Sequence, residues 1–557
     1  MSYRKKVILA FVVGTIFVIS AGASYRSFNT PPDYVKSIRR NTIIFGELLK
    51  QVSYKYVEEI DPEKLMRIGI NAMLGATDPY SILIEKEDDF QFRIITQGKY
   101  GGVGMLVGIK GDWPTVVEPP YEGTPAMKAG IREGDKITAI DGVPTKGKTI
   151  SEVASYLRGE KGTEVTINIF REGNVDQIEF RLIRGDIVIK DVSYAGMLEN
   201  NIGYIKLSRF SKNASSEVKN AVIKLKKEGM KGLVFDVRSN PGGLLQAAIG
   251  VADIFLKKGE KIVETRGRLE EMAQTYYSTN KPALGDLPLV VLIDSYSASA
   301  SEIVSGAVQD LDRGIIIGRQ SFGKGLVQSV VGITPNANLK LTTAKYYLPS
   351  GRLIQKEQYS RELLFQDSSS TASANVLSGK YTTRSGRKVY ANGGIVPDIH
   401  IETDTLSLFE RALLRQSMTF NYAVIYANTH PDLQRGFEIT DSIIEEFAAF
   451  IKSKDFSYQT EADAKLAQFR KSAKTQGLFA AIKPQIESIE KQLDLAKEDD
   501  FAKSRDFIKK QIAMEISAKL WDTKAKIESN IKEDKDLIKA LEIIANKEEY
   551  QSLVGQQ

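Results

Sequence analysis

The stretch Leu289-Val290-Val291-Leu292-Ile293-Asp294-Ser295-Tyr296-Ser297-Ala298-Ser299-Ala300-Ser301-Glu302-Ile303-Val304 decides the fold. Five consecutive apolar residues run into a serine-rich turn and then into a helical pattern. An uninterrupted apolar run of that length reads as a strand covered on both faces. Working outward, the rhythm repeats. Residues 203–207 lead to a helix at 216–227, residues 233–237 to one at about 244–256, and residues 289–293 to one at 301–311, with 315–317 following. Strand alternating with helix, on continuous apolar strands, predicts an α/β core with a mostly parallel sheet.

The flanks read differently. Residues 33–97 read as helices, with Asp61-Pro62 as N-cap and first helical residue and Leu65, Ile68, Met73 and Leu74 as an apolar face. Residues 98–186 hold short strand-like runs at 104–109, 136–140, 165–170 and 177–182, with one inserted helix at about 150–158, which predicts a compact β-rich module. From about Asp404 the chain is rich in Lys, Glu, Ala and Leu, and a helical C-terminal domain is expected, its charge runs forming solvated faces.

Composition narrows the chemistry. The 557 residues are 42% hydrophobic and 26% charged, an ordinary globular balance. A net charge of +6 is too small for this length to argue nucleic-acid binding. Zero cysteines exclude disulfides, zinc-cysteine sites and cysteine nucleophiles. His400 and His430 are the only histidines, which speaks against a multi-histidine metal site. At the N-terminus, Arg4, Lys5 and Lys6 precede an uncharged apolar stretch at 7–23 that ends in Ala21-Gly22-Ala23. This pattern predicts export, by a cleaved signal or by an uncleaved anchor that leaves the body outside the cytoplasm.

Ligands of an open parallel sheet bind beyond the carboxyl ends of its strands. Two junctions there are unusual. Asp236-Val237-Arg238-Ser239-Asn240-Pro241-Gly242-Gly243 fits either a plain tight turn or an amide-lined cradle for an oxyanion. The second junction, from Asp294 to Val304, places serines where a strand becomes a helix. Ser299 and Glu302 fit a capping box, and a serine at such a turn also fits a nucleophile; the two roles can fall on different serines. Neither histidine lies where it would serve such a serine. Lys324, in Ser321-Phe322-Gly323-Lys324-Gly325, follows the next strand and can act as base once partial burial favours its neutral amine. Gln328 can hold the lysine nitrogen.

Together these residues resemble the C-terminal processing (tail-specific) peptidases. The resemblance rests on Ser297 to Val304, on Phe322-Gly323-Lys324-Gly325-Leu326-Val327-Gln328, and on Asp78-Pro79-Tyr80-Ser81. It continues in Tyr346-Tyr347-Leu348-Pro349-Ser350-Gly351-Arg352 and Gly393-Gly394-Ile395-Val396-Pro397-Asp398, covering roughly residues 33–400. It implies an exported serine endopeptidase without cofactor or metal, with Ser299 as nucleophile, Lys324 as general base and Gln328 orienting the lysine. The amides near Gly242, Gly243 and Ala300 would form the oxyanion hole. Asp294 stands where the family more often has Asn, outside the catalytic set.

The same resemblance makes the β-rich module a PDZ domain. Gly101-Gly102-Val103-Gly104-Met105 is then its carboxylate-binding loop, with Val153 and Leu157 lining the groove. The implied partners are C-terminal tails of protein substrates and a second copy in a homodimer. The domain expectation is a signal peptide or anchor at 1–28, an N-terminal helical region at 29–97, a PDZ domain at 98–186, a peptidase core at 187–403 and a helical C-terminal domain at 404–557. A rival reading is a non-catalytic PDZ scaffold or peptide-binding chaperone on a peptidase fold; another is a different acyl-transfer enzyme. The intact set of Ser299, Lys324 and Gln328 argues against the first, and the absence of a cofactor loop against the second.

Overall fold

A computed structural model describes residues 32–85, 98–172, 174, 176–356, 380–391, 393–403 and 405–555. The export segment expected at 1–28 lies outside the described residues. Among those described, no helix is long and apolar enough to cross a membrane. Residues 32–83 are a body of their own, with helices α1 (Pro32–Lys55) and α2 (Pro62–Gly75). Asp61 caps α2 as its sequence predicts, accepting the N–H groups of Glu63 and Lys64. The expected apolar face of α2 is only partly realised: Leu74 is buried, while Ile68 and Met73 are exposed. Adjacent positions on a helix point about 100° apart, so 73 and 74 cannot share one face. Asp78 then closes the turn by accepting the Tyr80 and Ser81 N–H groups, each at 2.8 Å.

The second body carries the rest. Its first module is an antiparallel sheet in the order β1 (Val107–Lys110), β2 (Trp113–Val116), β3 (Lys136–Ile140), β4 (Glu164–Phe170), β5 (Ile178–Ile183). Helix α3 (Ile150–Leu157) is inserted between β3 and β4. The α3 start is fixed by a capping box, in which Thr149 N donates to Glu152 Oε2 at 2.8 Å and Glu152 N to Thr149 Oγ1 at 3.3 Å. The strand expected at 104–109 begins only at Val107. Gly104 has φ of +85°, and the Gly104 and Leu106 carbonyls accept from Tyr121 and Val117 rather than from a neighbouring strand. What precedes β1 is therefore a loop, and β1 is an edge strand.

The central layer is a six-stranded sheet in the order β6 (Val192–Met197), β7 (Ile202–Leu207), β8 (Gly232–Asp236), β9 (Leu289–Ile293), β10 (Ile315–Gly318) and β13 (Ile399–His400). Strand β6 pairs antiparallel, and every other neighbour is parallel. Between its strands the chain forms α4 (Ala214–Lys227), α5 (Leu245–Phe255), α6 (Ala300–Asp310) and a hairpin of β11 (Leu326–Thr334) with β12 (Ala337–Tyr347). Both faces of the sheet are covered. Leu289, Val291 and Ile293 pack with α4, α5 and α6, while Val290 and Leu292 point the other way, alternation being a strand's own period. That accounts for the unbroken apolar run.

The C-terminal helices divide into two groups. Helices α7 (Met418–Thr429), α8 (Asp441–Ser453) and α9 (Arg505–Leu520) enclose an aromatic core around Tyr422 and Phe447, whose rings lie 5.3 Å apart. This group holds the β-rich module through the buried pair Lys519–Glu133 at 3.1 Å. The last two helices, α10 (Lys535–Ala545) and α11 (Lys547–Val554), instead cover the second face of the central sheet with Leu537, Ala540, Ile543, Tyr550 and Val554.

Candidate active site

The parallel strands deliver three loops to one edge. Beyond β8, the backbone turns at Ser239 (φ +60°) and Gly242 (φ +96°). A Cβ on Gly242 would lie 2.7 Å from the Ala298 oxygen and 3.0 Å from the Ser299 Cβ, so only glycine lets this loop approach the serine turn so closely. Beyond β9, Ser299 adopts φ +53° and ψ −108°, a strained conformation for a residue with a side chain. It stands at the head of α6, the position that sharp strand-to-helix turns give to nucleophiles.

The four serines of this turn have separate fates. Ser295 is exposed. Ser297 is buried and donates to the Val237 carbonyl at 2.8 Å, and Ser301 is buried and donates to the Asn240 carbonyl at 2.9 Å, so both bind the turn to the loop after β8. Only Ser299 of the four lines a cavity of about 560 Å³, together with Gly242, Gly243, Ala300, Lys324 and Gln328. Its apolar walls come from Leu244, Ile303, Leu326 and Tyr346 among others.

The capping role and the cavity position fall on this same serine rather than on different ones. Glu302, one turn into α6, is fully buried, and its Oε2 accepts the Ser299 N–H at 2.7 Å. It does more than cap. Oε2 also accepts the Lys324 N–H at 2.9 Å, while Oε1 accepts the Gly323 N–H at 2.7 Å and the Ser321 hydroxyl at 2.5 Å. Burial pushes the Glu302 carboxyl up to about 7, against the lowering effect of these donors. Sequence reading took Glu302 for a cap alone; its second task had no signal in local spacing.

Lys324 sits half-buried between Gly323 (φ +88°) and Gly325, at the entry to β11. The Tyr346 hydroxyl donates to its carbonyl. Gln328 follows on β11 and lines the same cavity, with its Nε2 3.5 Å from Thr342 Oγ1. Neither histidine lines this cavity. His400 lies in β13 beside Gly318, and His430 stacks on Tyr426 at 4.1 Å between ring centres.

The amide cradle differs from expectation at one place. The Gly242 N–H donates to Asn240 Oδ1 at 2.9 Å, so it is committed within its own loop and unavailable to an oxyanion. Asn240 is itself fixed by donating to the Leu207 carbonyl at 2.8 Å. The Gly243 and Ala300 N–H groups have no such commitment among the described residues. Asp294 accepts from Ser239 N at 2.9 Å and Ser297 N at 3.0 Å, which makes it a brace between the two loops.

In the β-rich module, Gly102 ends a strand at Lys99–Gly102, and Val103, Gly104 and Met105, all buried, belong to the loop that leads into the edge strand β1. Val153 and Leu157 are buried with Val103 and Met105 in the module's core. Among the described residues no cluster of three or more His, Asp or Glu is arranged to hold a metal ion.

Three sequence families match the chain. Residues 201–363 match Peptidase family S41, residues 116–171 match PDZ domain, and residues 409–544 match "Probable PDZ-protease, C-terminal helical domain". The carboxy-terminal-processing protease of Bartonella bacilliformis is 39% identical over 352 residues, which cover 62% of this chain and 80% of that protein. The carboxy-terminal processing protease CtpB of Bacillus subtilis is 35% identical, covering 55% of this chain and 64% of its own length. The carboxyl-terminal-processing protease of a Synechocystis species is 38% identical, covering 52% and 68%.

Proposed function

The chain belongs to peptidase family S41 as a PDZ-containing serine peptidase, and from that premise we propose that it is an exported endopeptidase that selects proteins by their C-terminal tails and cuts them with Ser299, Lys324 and Gln328. The observation that carries the reading is the single cavity shared by Ser299, Lys324, Gln328 and the Gly243 and Ala300 amides.

The mechanism follows from the chemistry of those groups. Neutral Lys324 Nζ takes the Ser299 hydroxyl proton as Oγ attacks the scissile carbonyl. The resulting oxyanion is held by the Gly243 and Ala300 N–H groups, the latter at the positive end of α6. The Lys324 ammonium then protonates the leaving amine, giving an acyl-enzyme. Water, deprotonated by the same lysine, hydrolyses the ester. Gln328 keeps the lysine nitrogen directed at the serine. A base role requires the neutral form of Lys324.

Selection is assigned to the module at 98–186. A tail adds as a strand beside the edge strand β1, and amides of the Gly102–Met105 loop hold its terminal carboxylate. The remaining division is a signal peptide or anchor at 1–28, a helical region at 29–97, a peptidase core at 187–403 and a helical domain at 404–557, the whole acting as a homodimer. The basic and apolar N-terminal residues support export, and the exposed apolar side chains Tyr34, Ile38, Phe45 and Leu48 on α1 support self-association. The experiment is digestion of an unfolded protein by the purified chain and by Ser299→Ala. Fragments that depend on Ser299 are expected; equal fragmentation by the two overturns the proposal.

A further inference from the structure

Two of the three loops at this edge begin with an arginine. Arg238 stands between the end of β8 and the Gly242–Gly243 turn, and Arg319 between the end of β10 and Lys324. Both guanidinium groups point away from the cavity, to the face of the sheet covered by α10. There they meet one carboxylate. Asp536 Oδ2 accepts from Arg238 Nη1 at 2.8 Å, and the same side chain takes a two-pronged contact from Arg319, Nη1 to Oδ1 at 2.9 Å and Nη2 to Oδ2 at 2.8 Å. Asp536 is 2% exposed. Asp534, the N-cap of α10, adds a second fork to Arg238 at 2.8 and 2.7 Å.

The cluster is charge-balanced. Asp236, Asp534 and Asp536 face Arg238, Arg319 and Lys206. Asp236 is fully buried, and burial alone would raise its carboxyl, yet Arg238 and Lys206 hold it well below the usual range. Paired forks of this kind fix direction as well as distance, because a planar guanidinium meets a carboxylate in one plane. Shielded from water, they are also little screened.

We propose that Asp536, a residue of the C-terminal helical region, is a positioning residue for catalysis, its carboxylate setting the distance between the loop that carries Gly243 and the loop that carries Lys324. The inference rests on the Ser299–Lys324 reading above. Without the carboxylate, Arg238 keeps Asp236 and Asp534 while Arg319 loses its forked partner, and the cluster is left with one uncompensated positive charge. The tie between the two loops is lost, and the Lys324 loop shifts relative to the Gly243 loop. Ser299, at the head of the helix that follows the strand between them, then faces an oxyanion cradle and a base that are out of register. Misplacement of a reacting group by about 1 Å is enough to lower a rate about a hundred-fold. The segment therefore does more than cover the sheet.

The test uses the full chain and a peptide substrate, with rates measured well below the lowest melting temperature of the set. Asp536→Asn is expected to lower kcat by about ten- to a hundred-fold with KM within about twofold, and Asp536→Glu to recover part of the rate. Ile543→Ala, a cavity on the same helix away from the arginines, is expected to lower the melting temperature and leave kcat unchanged. If Asp536→Asn fails to fold, Arg319→Gln decides: a tenfold or larger fall in kcat supports the clamp, and wild-type kcat overturns it. Wild-type kcat in folded Asp536→Asn, or an equal loss in Ile543→Ala, also overturns it. Ser299→Ala is run alongside: activity retained there overturns the catalytic reading and the clamp with it, whereas loss there with a wild-type Asp536→Asn overturns the clamp alone.

Discussion

Glu302 Oε2 accepts the backbone N–H of Lys324 at 2.9 Å while it also accepts that of Ser299 at 2.7 Å. One buried oxygen thus ties the residue proposed as nucleophile to the residue proposed as base, through their backbones and not their side chains. All four groups around this carboxylate are donors, which suits an anion and nothing else of its shape. In Glu302→Gln the amide nitrogen must face at least one of those donors, so one contact turns from attraction to repulsion. The expected result is a stable but displaced Lys324 loop, with kcat lower by about ten- to a hundred-fold and KM little changed. Steady-state kinetics with a peptide substrate checks the split.

A pH effect follows from the same carboxyl. Burial raises it from an ordinary 4.5 to about 7. Between those values the folded chain holds a proton that the unfolded chain has released. Stability arising from this group is therefore greatest at the acid end of the window and is lost as pH rises through 7. Activity moves in the opposite direction, because a protonated oxygen can no longer accept from both Ser299 and Lys324. The ratio kcat/KM should therefore rise as pH is raised through about 7. In Glu302→Gln that rise should lose the part carried by this carboxyl, and an unchanged profile would remove Glu302 as a titrating partner.

Much of this site is legible in the residues themselves. The apolar runs at 233–237 and 289–293 announce buried parallel strands, and a serine and a glycine-flanked lysine after neighbouring strands announce where chemistry could lie. Two things are not legible. The Asn240–Gly242 contact is a short side-chain-to-backbone turn, and the Asn-x-Gly spacing was a usable signal for it, but only the folded loop shows that it consumes the Gly242 amide. The partners of Asp534 and Asp536 lie more than two hundred residues back along the chain. Local periodicity makes α10 an amphipathic helix and says nothing of which sheet face it covers.

Removal of either reacting side chain should be nearly complete in effect. Ser299→Ala and Lys324→Ala should each abolish most hydrolysis, and the double variant should be little worse than either, since groups acting in one step are not additive. Lys324→Arg should also fail, because a guanidinium stays protonated. Retained turnover in Lys324→Ala, with loss in His400→Ala or His430→Ala, would overturn the lysine as base.

Gly242→Ala tests the loop approach rather than an oxyanion amide. The added Cβ would lie 2.7 Å from the Ala298 oxygen and 2.9 Å from the Ala300 nitrogen, at a φ of +96°. Backbone strain of that kind costs about 1–3 kcal/mol, so the melting temperature should fall modestly. The larger consequence is that the serine turn is pushed off the Gly243 amide, with kcat lower by about 10²–10³, the effect of losing one oxyanion donor. Wild-type kcat would show that the two loops are less closely coupled than their spacing implies.

Tail selection calls for a test that leaves the enzyme intact. Introducing a carboxylate as Gly104→Asp is a poor choice, since any Cβ at Gly104 would lie 2.4 Å from the Thr124 Cβ, at a φ of +85°. The module would rearrange for reasons unrelated to charge. Changing the substrate avoids this. Two peptides with the same internal cleavage site, one a free acid and one a C-terminal amide, differ only in the charge that the Gly102–Met105 loop would hold. A neutral amide gives those N–H groups no anion to bind, so KM should rise for the amidated peptide. If docking of a tail also shifts the Lys324 loop toward its active arrangement, kcat should fall for that peptide as well, because the occupied state would no longer be favoured. Extending both peptides with the same apolar final residue should widen the gap between them, since a strand added beside β1 is held by its backbone and its last side chain together. Equal kcat/KM for acid and amide would rule out recognition of the tail and leave a peptidase that reads only the bond it cuts.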